Sequence, residues 1–134
     1  MILRVEHIGI AVNGLTNAGE IFALLLGKKK YKEEKVPSEM VNTSFFRAGE
    51  TKIELLEAGD PGSAIARFLE KRGEGLHHIA FEVDDIHAEM DRLRAAGVNV
   101  LSEKPFRGAD NKWVCFLHPK SCNGVLVELC QEIT

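Results

Sequence analysis

Two histidines and two glutamates stand at matching places along the 134 residues of this chain. His7 lies in Val5-Glu6-His7-Ile8-Gly9-Ile10-Ala11-Val12 and His78 in Leu76-His77-His78-Ile79-Ala80-Phe81-Glu82-Val83, each with a small residue, Gly9 or Ala80, two positions further on. Glu54 is the single acid of Thr51-Lys52-Ile53-Glu54-Leu55-Leu56, and Glu128 that of Val125-Leu126-Val127-Glu128-Leu129. The interval from His to Glu is 54 − 7 = 47 positions in the first case and 128 − 78 = 50 in the second. A carboxylate among apolar neighbours is costly to bury without a compensating partner, and a bound cation is one such partner. Two imidazoles and two carboxylates suit a divalent ion such as Mn²⁺, Co²⁺, Ni²⁺ or Zn²⁺, with positions left for water or substrate. The pattern therefore predicts one divalent metal ion held by His7, Glu54, His78 and Glu128.

Elements of fixed type must bring these residues to equivalent depth. Both histidine segments alternate as strands do, with Ile8, Ile10 and Val12 opposing His7, Gly9 and Ala11, and Ile79, Phe81 and Val83 opposing His78, Ala80 and Glu82. A helical period follows each, through Leu15, Ala18, Phe22 and Leu25 and through Ile86, Met90 and Leu93, with Gly27 and Gly97 as stops. Strand pairs come next, at Asn42 to Phe46 and Thr51 to Leu56, then at Trp113 to Leu117 and Gly124 to Cys130. The chain is thus two tandem βαβββ modules, an α+β fold with mixed sheets, arranged as a single domain over 1–134 with modules at about 1–58 and 74–134. The turn Gly59-Asp60-Pro61-Gly62-Ser63 and the amphipathic helix after it, about 63–72, form a linker. His77 falls on the face opposite His78 and is not expected to be a ligand. The Lys28–Lys35 run, with both signs of charge, is expected to be a solvated edge strand or loop.

Composition narrows the function classes. A net charge of -3 argues against a broad nucleic-acid-binding surface, and the 45% hydrophobic and 28% charged content is that of a globular domain. No apolar stretch is long enough to span a bilayer, and residues 1–12 lack a signal-peptide layout, so a cytoplasmic protein is expected, with no membrane partner. Cys115, Cys122 and Cys130 are unpatterned and expected to be reduced thiols.

The paired modules with their His and Glu ligands resemble the vicinal oxygen chelate superfamily, which includes glyoxalase I. Within it the chain is most similar to the methylmalonyl-CoA epimerase family. That similarity runs through Glu6–Val12, Thr51–Leu56, Ala64–Lys71, Gly75–Ala80, His118-Pro119-Lys120-Ser121 and Gly124–Leu129. It implies curled sheets around the metal, a likeness to homodimeric enzymes, and interconversion of (2R)- and (2S)-methylmalonyl-CoA, an acyl-CoA substrate. It also implies that Glu128 is catalytic base as well as ligand. Inverting a carbon alpha to a thioester needs one proton removed and one returned to the opposite face, and a Lewis-acidic metal stabilises the enolate between. Lys120 and Ser121, in the turn before the strand of Glu128, are candidates for substrate binding, Lys120 as a flexible point charge. Arg67 and Lys71 are weaker candidates for the CoA phosphates, and Asn111 and Lys112 are placed in a loop near the site. Some family members carry Gln where this chain has Glu54 and a second catalytic Glu where it has Thr43, and threonine is no general base.

Glyoxalase I is the alternative within the superfamily, and Glu54 favours it, whereas the linker helix and the His-Pro-Lys-Ser turn favour the epimerase. A ring-cleaving dioxygenase uses three protein ligands, and the fourth carboxylate argues against it. A metal-free binding protein of the same fold needs no such quartet.

Overall fold

The structure is a computed structural model that describes all residues from Met1 to Thr134. It divides into two compact units, His7–His77 and Met1–Glu6 with His78–Thr134.

The first unit carries β1 (Ile2–Ala11) from His7 onward, α1 (Leu15–Leu26), β2 (Lys32–Val36), β3 (Val41–Ala48), β4 (Thr51–Ala58) and α2 (Ala64–Arg72). Its strands lie in the order β2-β3-β4-β1, with β1 parallel to β4 and the other pairs antiparallel. Helix α1 covers one face of this sheet, where Val12, Phe46 and Leu55 are buried against Leu15, Phe22 and Leu26. Burying each such side chain contributes about 1.5–3 kcal/mol. Gly14 offers no side-chain cap, and the Glu57 carboxylate instead accepts from the Leu15 N–H at 3.3 Å. At the other end Gly27 adopts φ 68, the left-handed turn that ends a helix with least strain on a residue lacking Cβ. Helix α2 is capped by Ser63, whose Oγ accepts from the Ala66 N–H at 3.0 Å.

The second unit carries β5 (Gly75–Val83) from His78 onward, α3 (Ile86–Ala95), β6 (Phe106–Gly108), β7 (Lys112–Leu117) and β8 (Val127–Glu132). The order is β5-β8-β7-β6, again with the first pair parallel and the rest antiparallel. Helix α3 covers one face, packing Ile86 and Met90 on Val83, Cys115 and Leu129. Each half of the chain is therefore βαβββ, and the α+β duplication expected from the repeat is present in the fold.

Three boundaries differ from the sequence-based expectation. Gly124 to Leu126 is not strand: Asn123 and Gly124 adopt φ 56 and φ 88, and the Gly124 N–H turns back to the Pro119 carbonyl at 2.8 Å, so β8 starts at Val127. Gly97 lies one position beyond the helix cap, which is Ala96. The Lys28–Lys35 run is as expected, loop up to Tyr31 and then edge strand β2 against β3. Lys112 opens β7 rather than lying in the loop, because Asp110 and Asn111, at φ 60 and φ 56, complete the turn before it. There it is buried between Glu132, at 3.2 Å, and Glu82, at 3.9 Å. Glu82 also pairs with Arg4 at 3.1 Å, which ties the first residues of β1 into this unit.

Candidate functional site

Register explains how a strand glutamate comes to meet a strand histidine. In the first unit the pairing of β1 with β4 sets His7 beside Lys52 and Gly9 beside Glu54, so these four residues share the sheet face opposite α1. Gly9 presents no side chain, which lets the Glu54 carboxylate lean back toward the imidazole two residues earlier. His7 Nδ1 and Glu54 Oε2 lie 3.1 Å apart. On the other side of β4, Glu54 stands directly opposite Phe45, a wholly buried ring.

The second unit repeats this construction with different residues. Ala80 is the register partner of Glu128 on the parallel side, and Phe116 is its partner on the antiparallel side. His78 Nε2 lies 3.3 Å from Glu128 Oε1, and its ring meets Phe116 edge-on at 5.8 Å between centroids. Each carboxylate is thus boxed between a small residue and an aromatic ring, with its histidine on the same face.

All four side chains are withdrawn from water, with His7 at 5%, Glu54 at 3%, His78 at 6% and Glu128 at 6% exposure. An imidazole nitrogen and a carboxylate oxygen at about 3 Å share either a proton or a cation, and their chemistry is that of a divalent-metal donor set. The structure therefore supplies buried His and Glu side chains able to bind a metal ion. His77 points away, packing edge-on against Phe68 of α2 at 4.9 Å, as alternation along β5 requires.

The small residue beside each glutamate is testable. Ala80→Leu forces extra methylenes into the closed cluster of Ala80, Val114 and Cys130. It is expected to lower stability by about 1–3 kcal/mol, and to weaken metal uptake at least tenfold in an equilibrium dialysis measurement. Unaltered uptake in a folded variant would remove the role given to this position.

Of the other residues on the site face, Lys52 was not singled out from the sequence. Lys52 is buried two positions from Glu54 and opposite Arg47. Its place was legible in the alternation Lys52-Ile53-Glu54, but a lysine in a strand ordinarily signals solvent. Thr43, also on this face, is 1% exposed and its Oγ1 has no hydrogen-bond partner. A buried hydroxyl in that state is a donor in search of an acceptor, so Thr43 is suited to bind and not to deprotonate. Cys130 lies on the face of Glu128, donating its thiol to the Phe81 carbonyl at 3.6 Å. Burial, reinforced by the Glu128 charge, pushes the Cys130 thiol up, and Cys115 is pushed up to about 11 by the same causes, so neither is a thiolate nucleophile at neutral pH.

Lys120 and Ser121 are exposed in a single 3₁₀ turn, Pro119–Ser121. The His118 ring accepts from the Lys120 backbone N–H at 3.0 Å, and Ser121 Oγ accepts from the Asn99 N–H at 3.0 Å, which fixes the turn and leaves the Lys120 ammonium at the surface. Arg67 on α2 is turned back onto the Gly62 carbonyl at 2.6 Å. Asn111 donates to the Ile133 carbonyl at 3.3 Å.

The duplicated βαβββ fold with a His–Glu pair in each half defines a class of protein. The profile of the Glyoxalase/Bleomycin resistance protein/Dioxygenase superfamily matches residues 6–116, and the chain belongs to that superfamily. It is 47% identical over 133 residues to the ethylmalonyl-CoA/methylmalonyl-CoA epimerase of Cereibacter sphaeroides, covering 98% of this chain and 99% of that protein. It is 42% identical over 129 residues to human mitochondrial methylmalonyl-CoA epimerase, covering 96% of this chain and 73% of that one. Among solved structures, a methylmalonyl-CoA epimerase in complex with methylmalonyl-CoA and NH4+ superposes with a TM-score of 0.95 at 34% identity, covering 100% of this chain and 97% of the other.

Proposed function

We propose that this chain is an isomerase that interconverts (2R)- and (2S)-methylmalonyl-CoA, with one divalent ion of the Co, Mn, Ni or Zn type held by His7, Glu54, His78 and Glu128. The observation that carries the reading is full-length similarity to epimerases at 47% identity, in a chain that keeps a buried His–Glu pair in both modules. When bound, such an ion supplies Lewis-acid stabilisation of the negative charge that develops on the thioester oxygen.

The chain's own residues supply the proton chemistry and the enclosure. Glu128 takes the proton from the alpha carbon, and the electron pair of that C–H bond delocalises onto the thioester. Phe116 and Phe45 wall the two carboxylates off from solvent. Thr43 offers its unpartnered hydroxyl as a hydrogen-bond donor, and Lys120 is assigned to an anionic group of the acyl-CoA. Proton return to the opposite face draws on exchangeable hydrogen, so product formed in D₂O carries deuterium at the alpha carbon.

No helix is long and apolar enough to cross a membrane. The three free cysteines, Cys115, Cys122 and Cys130, fit a reducing compartment, which supports assignment to the cytoplasm. A homodimer is proposed from the family resemblance.

The deciding experiment incubates the enzyme in D₂O with methylmalonyl-CoA and, separately, with the methylglyoxal–glutathione adduct. Deuterium uptake into the acyl-CoA with no turnover of the adduct is the expected result. Turnover of the adduct alone would replace this reading with a glyoxalase.

A further inference from the structure

Strand β7 is covered unevenly along its outer edge. β6 pairs with it only from Lys112 to Val114, so the backbone of Phe116, Leu117 and His118 needs another partner if its polar groups are to be satisfied. The segment from Asn99 to Leu101 supplies it. The Leu101 N–H donates to the Phe116 carbonyl at 2.9 Å, Val100 bridges to Leu117, and the His118 N–H donates to the Asn99 carbonyl at 2.9 Å. This strap reaches on into the next turn, where the Asn99 N–H donates to Ser121 Oγ at 3.0 Å.

That last bond decides how the Ser121 hydroxyl works. A serine hydroxyl has one proton to donate and lone pairs with which to accept. With the Asn99 N–H held against the oxygen, its proton is directed elsewhere, on an exposed residue in the turn that carries Lys120. The same strap holds the backbone of Phe116, whose register partner is Glu128 and whose ring meets His78 edge-on. Turn and site wall thus share one support. At its near end the strap is seated by Val100, packed on the cluster of Val83, Ile86, Met90, Cys115 and Leu129. At its far end it is held by Arg94, in the last turn of α3. Arg94 Nη2 donates to the carbonyl of Ser102 and, at 2.9 Å, to that of Glu103, while Nη1 lies 3.8 Å from Asp91. A planar guanidinium presents these hydrogens in a fixed fork, which an ammonium does not.

We propose that Arg94 is a positioning residue for acyl-CoA binding: by fixing the strap from Asn99 to Glu103 it aims the Ser121 hydroxyl as a donor to the substrate. The inference rests on the reading of the Lys120–Ser121 turn as a place that meets the acyl-CoA, and adds the residue that orients it.

Two measurements on the full chain test it, the first without substrate. Arg94→Met is expected to speed amide hydrogen exchange at Leu101 and His118 at least ~10-fold, while Leu129 in the core exchanges as in wild type, because only a local opening becomes easier. Arg94→Lys, which keeps the charge but not the fork, should fall between. In steady-state epimerisation of methylmalonyl-CoA, Arg94→Met and Ser121→Ala should each raise KM ~10-fold with kcat within ~3-fold of wild type. The double variant should stay within ~3-fold of Ser121→Ala, since the arginine acts through the serine, whereas independent effects would multiply to ~100-fold. Multiplied effects in an active enzyme would overturn the assignment of Arg94 to Ser121. Unchanged exchange at Leu101 and His118 would overturn the strap itself. A wild-type chain without epimerase turnover would overturn the function proposed above and with it the link to acyl-CoA, and the exchange result then decides the strap by itself.

Discussion

Glu128→Gln is expected to lower kcat for methylmalonyl-CoA epimerisation by about 10³-fold, within the range contributed by a positioned general base, while raising the dissociation constant for the metal only ~10-fold. The inequality follows from what the substitution keeps. Glutamine retains an oxygen in place of the atom that sits 3.3 Å from His78 Nε2, so a ligating contact survives in weakened form. It does not retain an oxygen that can accept a proton from carbon. The neighbour on its own face does not compensate: burial holds the Cys130 thiol protonated. Solvent deuterium exchange read alongside a metal titration separates the two roles. Losses of exchange and of metal affinity by the same factor would show that Glu128 is a ligand alone.

The site's skeleton is legible in the sequence for a physical reason. Strand side chains alternate with a period of two, so His7, Gly9 and Ala11 must share a face whatever lies beside them, and so must Lys52 and Glu54. Repetition of that pattern at His78, Ala80 and Glu128 then indicates a shared role. What alternation does not contain is the neighbour across the sheet. Phe45 stands opposite Glu54 because the turn at Gly49, with φ 66, joins β3 to β4 with Ala48 paired to Thr51. A register shifted by one residue would put Ser44 or Phe46 there instead.

Long-range charge pairing is hidden for a related reason. Lys112 and Glu6 are both buried. Lys112 is stabilised by Glu82 and Glu132, partners far away in the chain that no local pattern announces. Strand ends fail where positive φ intervenes, as at Asn123 and Gly124, since Val125 and Leu126 look like strand until the backbone turns before them. The apolar period of α1 shows a helix but not which of its leucines faces outward. Leu25, counted among the inward positions of the helical pattern, is exposed, and Phe22 and Leu26 take the sheet side.

Removal of the metal should invert the stability order of Glu54 and its amide. In metal-loaded protein, Glu54→Gln is expected to lower stability, because it replaces an anionic ligand with a neutral one. In protein stripped by a chelator, the wild type keeps a carboxylate at 3% exposure with His7 as its partner at 3.1 Å and the Phe45 ring opposite it. Holding that charge away from water without a cation is unfavourable, and a neutral amide costs less to bury, so Glu54→Gln should there be the more stable protein, by about 1–2 kcal/mol. Stripping should by itself destabilise the wild type by about 3–4 kcal/mol if the ion is supplied at several hundred times its dissociation constant, and epimerase activity should fall below a hundredth of its starting value. Re-addition of Co²⁺, Mn²⁺, Ni²⁺ or Zn²⁺ should restore both. Paired urea titrations of the two proteins, with and without metal, provide the measurement, and the crossing of their order is independent of any assay of activity. If Glu54→Gln is less stable than wild type in both states by the same amount, the carboxylate is held by the protein alone and the metal assignment for Glu54 is withdrawn.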